Sequence, residues 1–101
     1  MTLTKKTFAT LALSMAVSMA THAADTLKIG IAGPMTGTVS QYGDMQFQGT
    51  HAAIELINKA GGINGTMIEA VEYDDVCDPK QAVAVANKVV NDGVQYVVGH
   101  L

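Results

Sequence analysis

From Leu27 to Ala32 the chain reads LKIGIA, a short apolar run without a polar face. Such a run suits a parallel strand covered by helices on both sides, and Gly33, Pro34 and Gly37 end it. From about Gln41 the period changes. Ala53, Leu56, Ile57 and Ala60 fall at i, i+3, i+4 and i+7, which predicts a helix to about Ala60 with that stripe on the core. Gly61 and Gly62 stop it. Ile63 to Thr66, with Asn64-Gly65 inside, predicts a turn into a second strand from Met67 to Tyr73. The next helix has the clearest start: Asp78 as N-cap, Pro79 at the first helical position, and Gln81 placed to complete a capping box. Ala82, Val85, Ala86 and Val89 supply its apolar stripe, and Asn91-Asp92-Gly93 its end, with Gly93 left-handed. A third strand, Gln95 to Val98, comes next.

The order β-α-β-α-β, joined by right-handed crossovers, predicts an α/β fold with an open, doubly wound parallel sheet of strand order 2-1-3. The third strand would then be an unpaired edge. The expectation is that residues 24–101 are the incomplete first part of a larger domain, unable to fold cooperatively alone. Before them, Met1 to Ala23 has the parts of a secretory signal: Lys5 and Lys6, an apolar stretch from Phe8 to Met19, and small residues before a cut after Ala23 or Ala24. That stretch is shorter than the roughly 20 residues needed to span a bilayer as a helix.

Charge narrows the function. The formal net charge is −3, and losing Lys5 and Lys6 with the leader makes the remainder more acidic still. With no arginine and no basic cluster, the electrostatic footprint of nucleic-acid binding is missing. A single cysteine, Cys77, cannot form an internal disulfide; in an oxidising compartment it implies an intermolecular bond, a reactive thiol or a partner beyond the chain end.

Ligands of open α/β sheets sit beyond the carboxyl ends of the strands, where strand order reverses. That rim comprises Gly33 to Asp44, Asp74 to Asp78, and Gly99 to Leu101, with the first and third segments flanking the reversal. Gly30, Gly33 and Gly37 do not match G-x-G-x-x-G, and no Gly-Lys-Ser/Thr closes a phosphate loop, so a nucleotide cofactor is not expected. Thr36, Thr38 and Ser40 carry hydroxyls, and the start of the first helix offers amides to an anionic group. Tyr42 can wall an apolar ligand while its hydroxyl stays hydrated. Tyr73 and Tyr96 read as structural. Asp74, Asp75 and Asp78 do not follow calcium-loop spacing, and His51 and His100 lack the spacing of a zinc helix, so no metal is expected. No G-x-S-x-G elbow occurs, and an acidic neighbourhood disfavours Cys77 as a nucleophile, so no enzyme is expected.

Two segments, LKIGIAGPMTGTVSQYGDMQFQGTHAAIELINKAGGINGTMIEAVEYDD and CDPKQAVAVANKVVNDGVQYVVGHL, closely resemble the leucine/isoleucine/valine-binding proteins of Gram-negative bacteria. These are periplasmic receptors of branched-chain amino acid ABC transporters. The resemblance implies a type I periplasmic binding protein: two α/β lobes on a hinge, closing over an amino acid without covalent chemistry and delivering it to a membrane permease, monomeric when full length. This chain resembles only the opening part of the first lobe. Within it, Tyr42 resembles a family aromatic that lines the ligand side-chain pocket, and Leu101 an apolar residue near the same pocket. Cys77 resembles a family cysteine whose disulfide partner comes after GHL, beyond Leu101. That loop of about 25 residues would stabilise by roughly 3.5 kcal/mol in the chain-entropy model. Two further classes stand beside this reading: an exported amino-acid-sensing receptor domain of the same fold, and an exported α/β enzyme whose catalytic set lies elsewhere.

Overall fold

In the structure, a computed structural model that describes residues 25–101, strand β1 (Leu27–Gly33) leads into helix α1 (Ser40–Lys59), β2 (Ile68–Asp74), α2 (Pro79–Asn91) and β3 (Tyr96–Val98). The expected leader, Met1 to Ala23, lies outside the described residues. The sheet is parallel with order β2-β1-β3, as the crossovers required. β1 pairs with β2 from Leu27 opposite Ile68 to Gly33 opposite Asp74, and with β3 from Ile29 opposite Tyr96 to Ile31 opposite Val98. Among the described residues no helix is long and apolar enough to cross a membrane.

The central strand β1 buries both of its faces. Ile29 and Ile31 point to one side, where Ile68, Ala70 and Met35 join Phe47 and Ile54 of α1. Ala32 points to the other, where Val71, Tyr73 and Val94 join Val85 and Val89 of α2. β1 is therefore the central slab between two helices, which explains why its sequence has no polar face.

α1 turns a different face to the sheet from the one expected. Its buried residues are Gly43, Phe47 and Ile54, whereas Ala53, Leu56, Ile57 and Ala60 are exposed. The reason is local. A Cβ at Gly43 would lie 1.8 Å from the Pro34 carbonyl oxygen, so only the face carrying this glycine can approach the β1 end so closely. Burying a side chain of the size of Phe47 or Ile54 contributes about 1.5–3 kcal/mol. The exposed Glu55–Lys59 ion pair (2.9 Å) on the same helix contributes about 0.3–0.5 kcal/mol, so packing sets the face. At the far end of the helix, the Asn58 side chain donates to the Ile68 carbonyl and accepts from its N–H, both at 2.8 Å, satisfying the outer side of β2 as another strand residue would.

α2 starts where expected but not with the reciprocal box. Asp78 Oδ1 accepts from the N–H groups of Lys80 (2.9 Å) and Gln81 (3.0 Å). The Asp78 N–H, however, donates to the Asp75 carbonyl (2.9 Å), so the Gln81 side chain has no amide left to cap. Gly93 is left-handed (φ 72°) after the helix, as expected.

Candidate functional site

The carboxyl ends of β1, β2 and β3 form one rim, tied together by side chains rather than by the sheet. Asp74, the last residue of β2, reaches across to the loop after β1. Its Oδ1 accepts from the N–H groups of Met35 (2.8 Å), Thr36 (3.4 Å) and Val76 (3.0 Å), and its Oδ2 from the Thr36 hydroxyl (2.6 Å). Burial works to raise its pKa, but the hydrogen bonds from the Thr36 side chain and from these amides outweigh it and hold Asp74 below the usual carboxylate range. The Thr36 hydroxyl is thereby spent on turn structure. The loop after β2 is unusual in having two consecutive left-handed residues without glycine, Val76 (φ 54°) and Cys77 (φ 57°). Their amides are held by Asp74 Oδ1 and Asp75 Oδ1, which lets the turn persist against its steric cost.

At the strand-order reversal itself stands Gln46, in the second turn of α1. Its amide nitrogen donates to the Ala32 carbonyl of β1 (3.3 Å) and the Val98 carbonyl of β3 (3.2 Å), closing the fork between them. Gly99 makes room for this. A Cβ there would lie 1.9 Å from the Ala32 oxygen and 2.9 Å from the Gln46 nitrogen. Gln46 is not among the residues expected at the rim, yet the sequence carries a signal for it: it lies one turn after Gly43, on the edge of the face of closest approach.

Tyr42 sits in the first turn of α1, 56% exposed on this rim. Leu101 is 61% exposed and, with Asp75, Cys77, Pro79, Ala82 and His100, lines a shallow depression of about 200 Å³. Tyr42 does not line that depression, so the structure puts the two on one rim without bringing them into one pocket. Cys77 is exposed. Val39 stands at the N-cap of α1 and makes no side-chain capping bond.

The three aspartates are separate in role. Asp74 braces the β1 loop, Asp78 caps α2, and Asp75 is buried at 2% exposure with Oδ2 2.5 Å from His100 Nδ1. From sequence, His100 reads as a surface or loop residue; this pairing joins residues 25 apart and leaves no local signal. His51, also expected at the surface, is exposed and pairs with Glu72 (2.5 Å). Tyr73 is a core residue as expected, but Tyr96 is 59% exposed on the β3 edge, where no described element covers it. With Leu27, Ile29, Ile63 and Val98 it lines an apolar groove along the sheet, away from the rim.

Residues 26–101 match the sequence pattern of the family described as Periplasmic binding protein. The chain is 72% identical over 79 residues to the leucine-, isoleucine-, valine-, threonine- and alanine-binding protein of Pseudomonas aeruginosa, covering 78% of this chain and 21% of that one. It is 58% identical over 89 residues to the leucine-specific-binding protein of Salmonella typhimurium, covering 88% of this chain and 24% of the relative. Its fold superposes on the branched-chain amino acid transporter substrate binding protein of Streptococcus pneumoniae in complex with isoleucine, with a TM-score of 0.71 and 36% identity, over 75% of this chain and 22% of that one. The chain thus spans about a fifth to a quarter of the length of these relatives.

Proposed function

This chain belongs to the periplasmic binding protein family, and on that premise we propose that it forms the opening part of the first lobe of an exported receptor that captures a branched-chain amino acid and hands it to an ABC permease. The observation that carries the ligand class is the 72% identity to a relative named for leucine, isoleucine and valine among its ligands. The geometry agrees with this class. A leucine-like zwitterion needs an apolar wall for its side chain and a few directed hydrogen bonds for its charged groups. Tyr42, exposed at the reversal of strand order, supplies part of the wall, and Leu101 extends it along the rim. Groups for the carboxylate and ammonium belong to the rest of the two-lobed protein, so residues 25–101 alone do not bind. Capture is non-covalent, and closure of the lobes buries the ligand. Cys77, exposed at the rim, forms a disulfide with a cysteine that comes after the GHL segment.

Calorimetry of the full-length protein against leucine, isoleucine, valine, aspartate and lysine tests the reading. Saturable binding of at least one aliphatic amino acid is expected, with no uptake of the charged ones. Tyr42→Ala should weaken leucine binding by about tenfold, the loss expected for one aromatic contact, with an unchanged thermal midpoint. Full affinity in that variant takes Tyr42 out of the site; no binding of any aliphatic amino acid by the unaltered protein ends the proposal.

A further inference from the structure

The segment after β3 is seated at the rim by a contact that the ligand reading leaves unused. Asp75 is the buried charged side chain of the described residues, and every polar atom it owns is engaged. Its N–H donates to the Gly33 carbonyl at the end of β1 (3.1 Å), and its carbonyl accepts from the N–H of Asp78. Its Oδ1 accepts from the N–H of Cys77 (2.8 Å), and its Oδ2 faces His100 Nδ1 at 2.5 Å. A carboxylate has no proton to give, so the imidazole donates from Nδ1. Hydrogen bonds to an ionised acceptor are of the stronger kind.

Burial of apolar surface does not explain why the imidazole lies here, because the His100 side chain keeps 36% of its surface in solvent while that of Asp75 keeps 3%. Nor does the sheet hold this segment in place. The pairing of β3 with β1 ends at Ile31 opposite Val98, so the ladder between these two strands stops before Gly99. Gln46 and Gly99 fix the near side, against Ala32. The bond from His100 to Asp75 fixes the far side, against the β2–α2 loop.

We propose that Asp75 and His100 form a latch that holds Gly99–Leu101 in place at the rim, making them positioning residues for ligand capture rather than ligand contacts. The proposal rests on the amino-acid-binding reading above, because the side chain being positioned is Leu101.

The test uses full-length protein, with leucine affinity by calorimetry and hydrogen exchange of the peptide spanning Val98 to Leu101. His100→Leu removes the donor and keeps bulk; His100→Asn puts an amide nitrogen close to where Nδ1 lies. The latch predicts that His100→Leu binds leucine about tenfold more weakly while His100→Asn stays within about twofold of the unaltered protein. Exchange at Gly99 to Leu101 should quicken in the leucine variant only. Should His100→Leu fail to fold, His100→Met, which also lacks an N–H donor, carries the same expectation. A donorless variant that binds as tightly as the original, or an asparagine variant weakened to the same degree, overturns the latch. If the unaltered protein takes up no aliphatic amino acid, the ligand reading falls, and hydrogen exchange still decides the latch: equal rates in all three proteins refute it.

Discussion

Tyr73 shows how one hydroxyl can record the burial of a whole face. Its ring lies among Val85, Val89 and Val94, and only the hydroxyl reaches out, donating to Asp92 Oδ2 at 2.9 Å. Burial first, then the hydrogen bond to Asp92 and the charge of that carboxylate, push its pKa from 10.0 up to about 12. A raised folded-state pKa means that the protonated form is favoured by folding. The contribution is complete below about pH 10 and disappears as the pH rises through about 12. We therefore expect the thermal midpoint of the full-length protein to fall between those values, and Tyr73→Phe to flatten part of that fall. An identical slope in the phenylalanine variant would assign the decline to other groups. At this scale the sequence is informative about Tyr73 and silent about Asp75. Both aspartates after Tyr73 look alike in one dimension; β2 ends at Asp74, and the turn beyond it swings the second carboxylate inward.

Helices and turns differ in how much of their placement is local. The start of α2 is readable because Asp78 and Pro79 act within one turn of themselves. The buried face of α1 is not, because more apolar positions occur on that helix than one sheet face can cover, and the choice among them is made by Pro34, nine residues before Gly43 and on another element. The turn between β2 and α2 reads in sequence as an acidic stop, whereas its defining property is the left-handed pair at Val76 and Cys77. A β-branched residue is poorly suited to that conformation. Val76 is also 40% exposed, so little packing is lost by changing it. Val76→Asn should raise stability by about 0.5–1 kcal/mol, since asparagine tolerates the left-handed region and costs less there. Denaturant titration of the full-length protein measures this; a lowered midpoint would show that the Val76 side chain supports Gly37 more than its backbone strains the turn.

For the molecule as a whole, strand order and handedness are legible because right-handed crossovers leave few alternatives to a 2-1-3 sheet. The braces across the rim are not. Thr36 with Asp74, Asp75 with His100 and Gln46 with Val98 join residues 38, 25 and 52 positions apart, and pairings at that range leave no periodic trace. The sheet has Tyr96, Val97 and Val98 exposed along its β3 side. A polypeptide of residues 25–101 alone should therefore show no sharp thermal transition by circular dichroism and should associate as its concentration rises. A cooperative transition from a monomer would contradict this.

Gln46 also bears on the order of events in time. Its two acceptors belong to β1 and β3, so its amide nitrogen can meet both only after β3 has entered the sheet beside β1. Closing the shorter span from β1 through α1 to β2 costs less chain entropy than bringing in β3. The β1-α1-β2 unit is therefore expected to assemble first, with the bond from Gln46 to Val98 following once the third strand arrives.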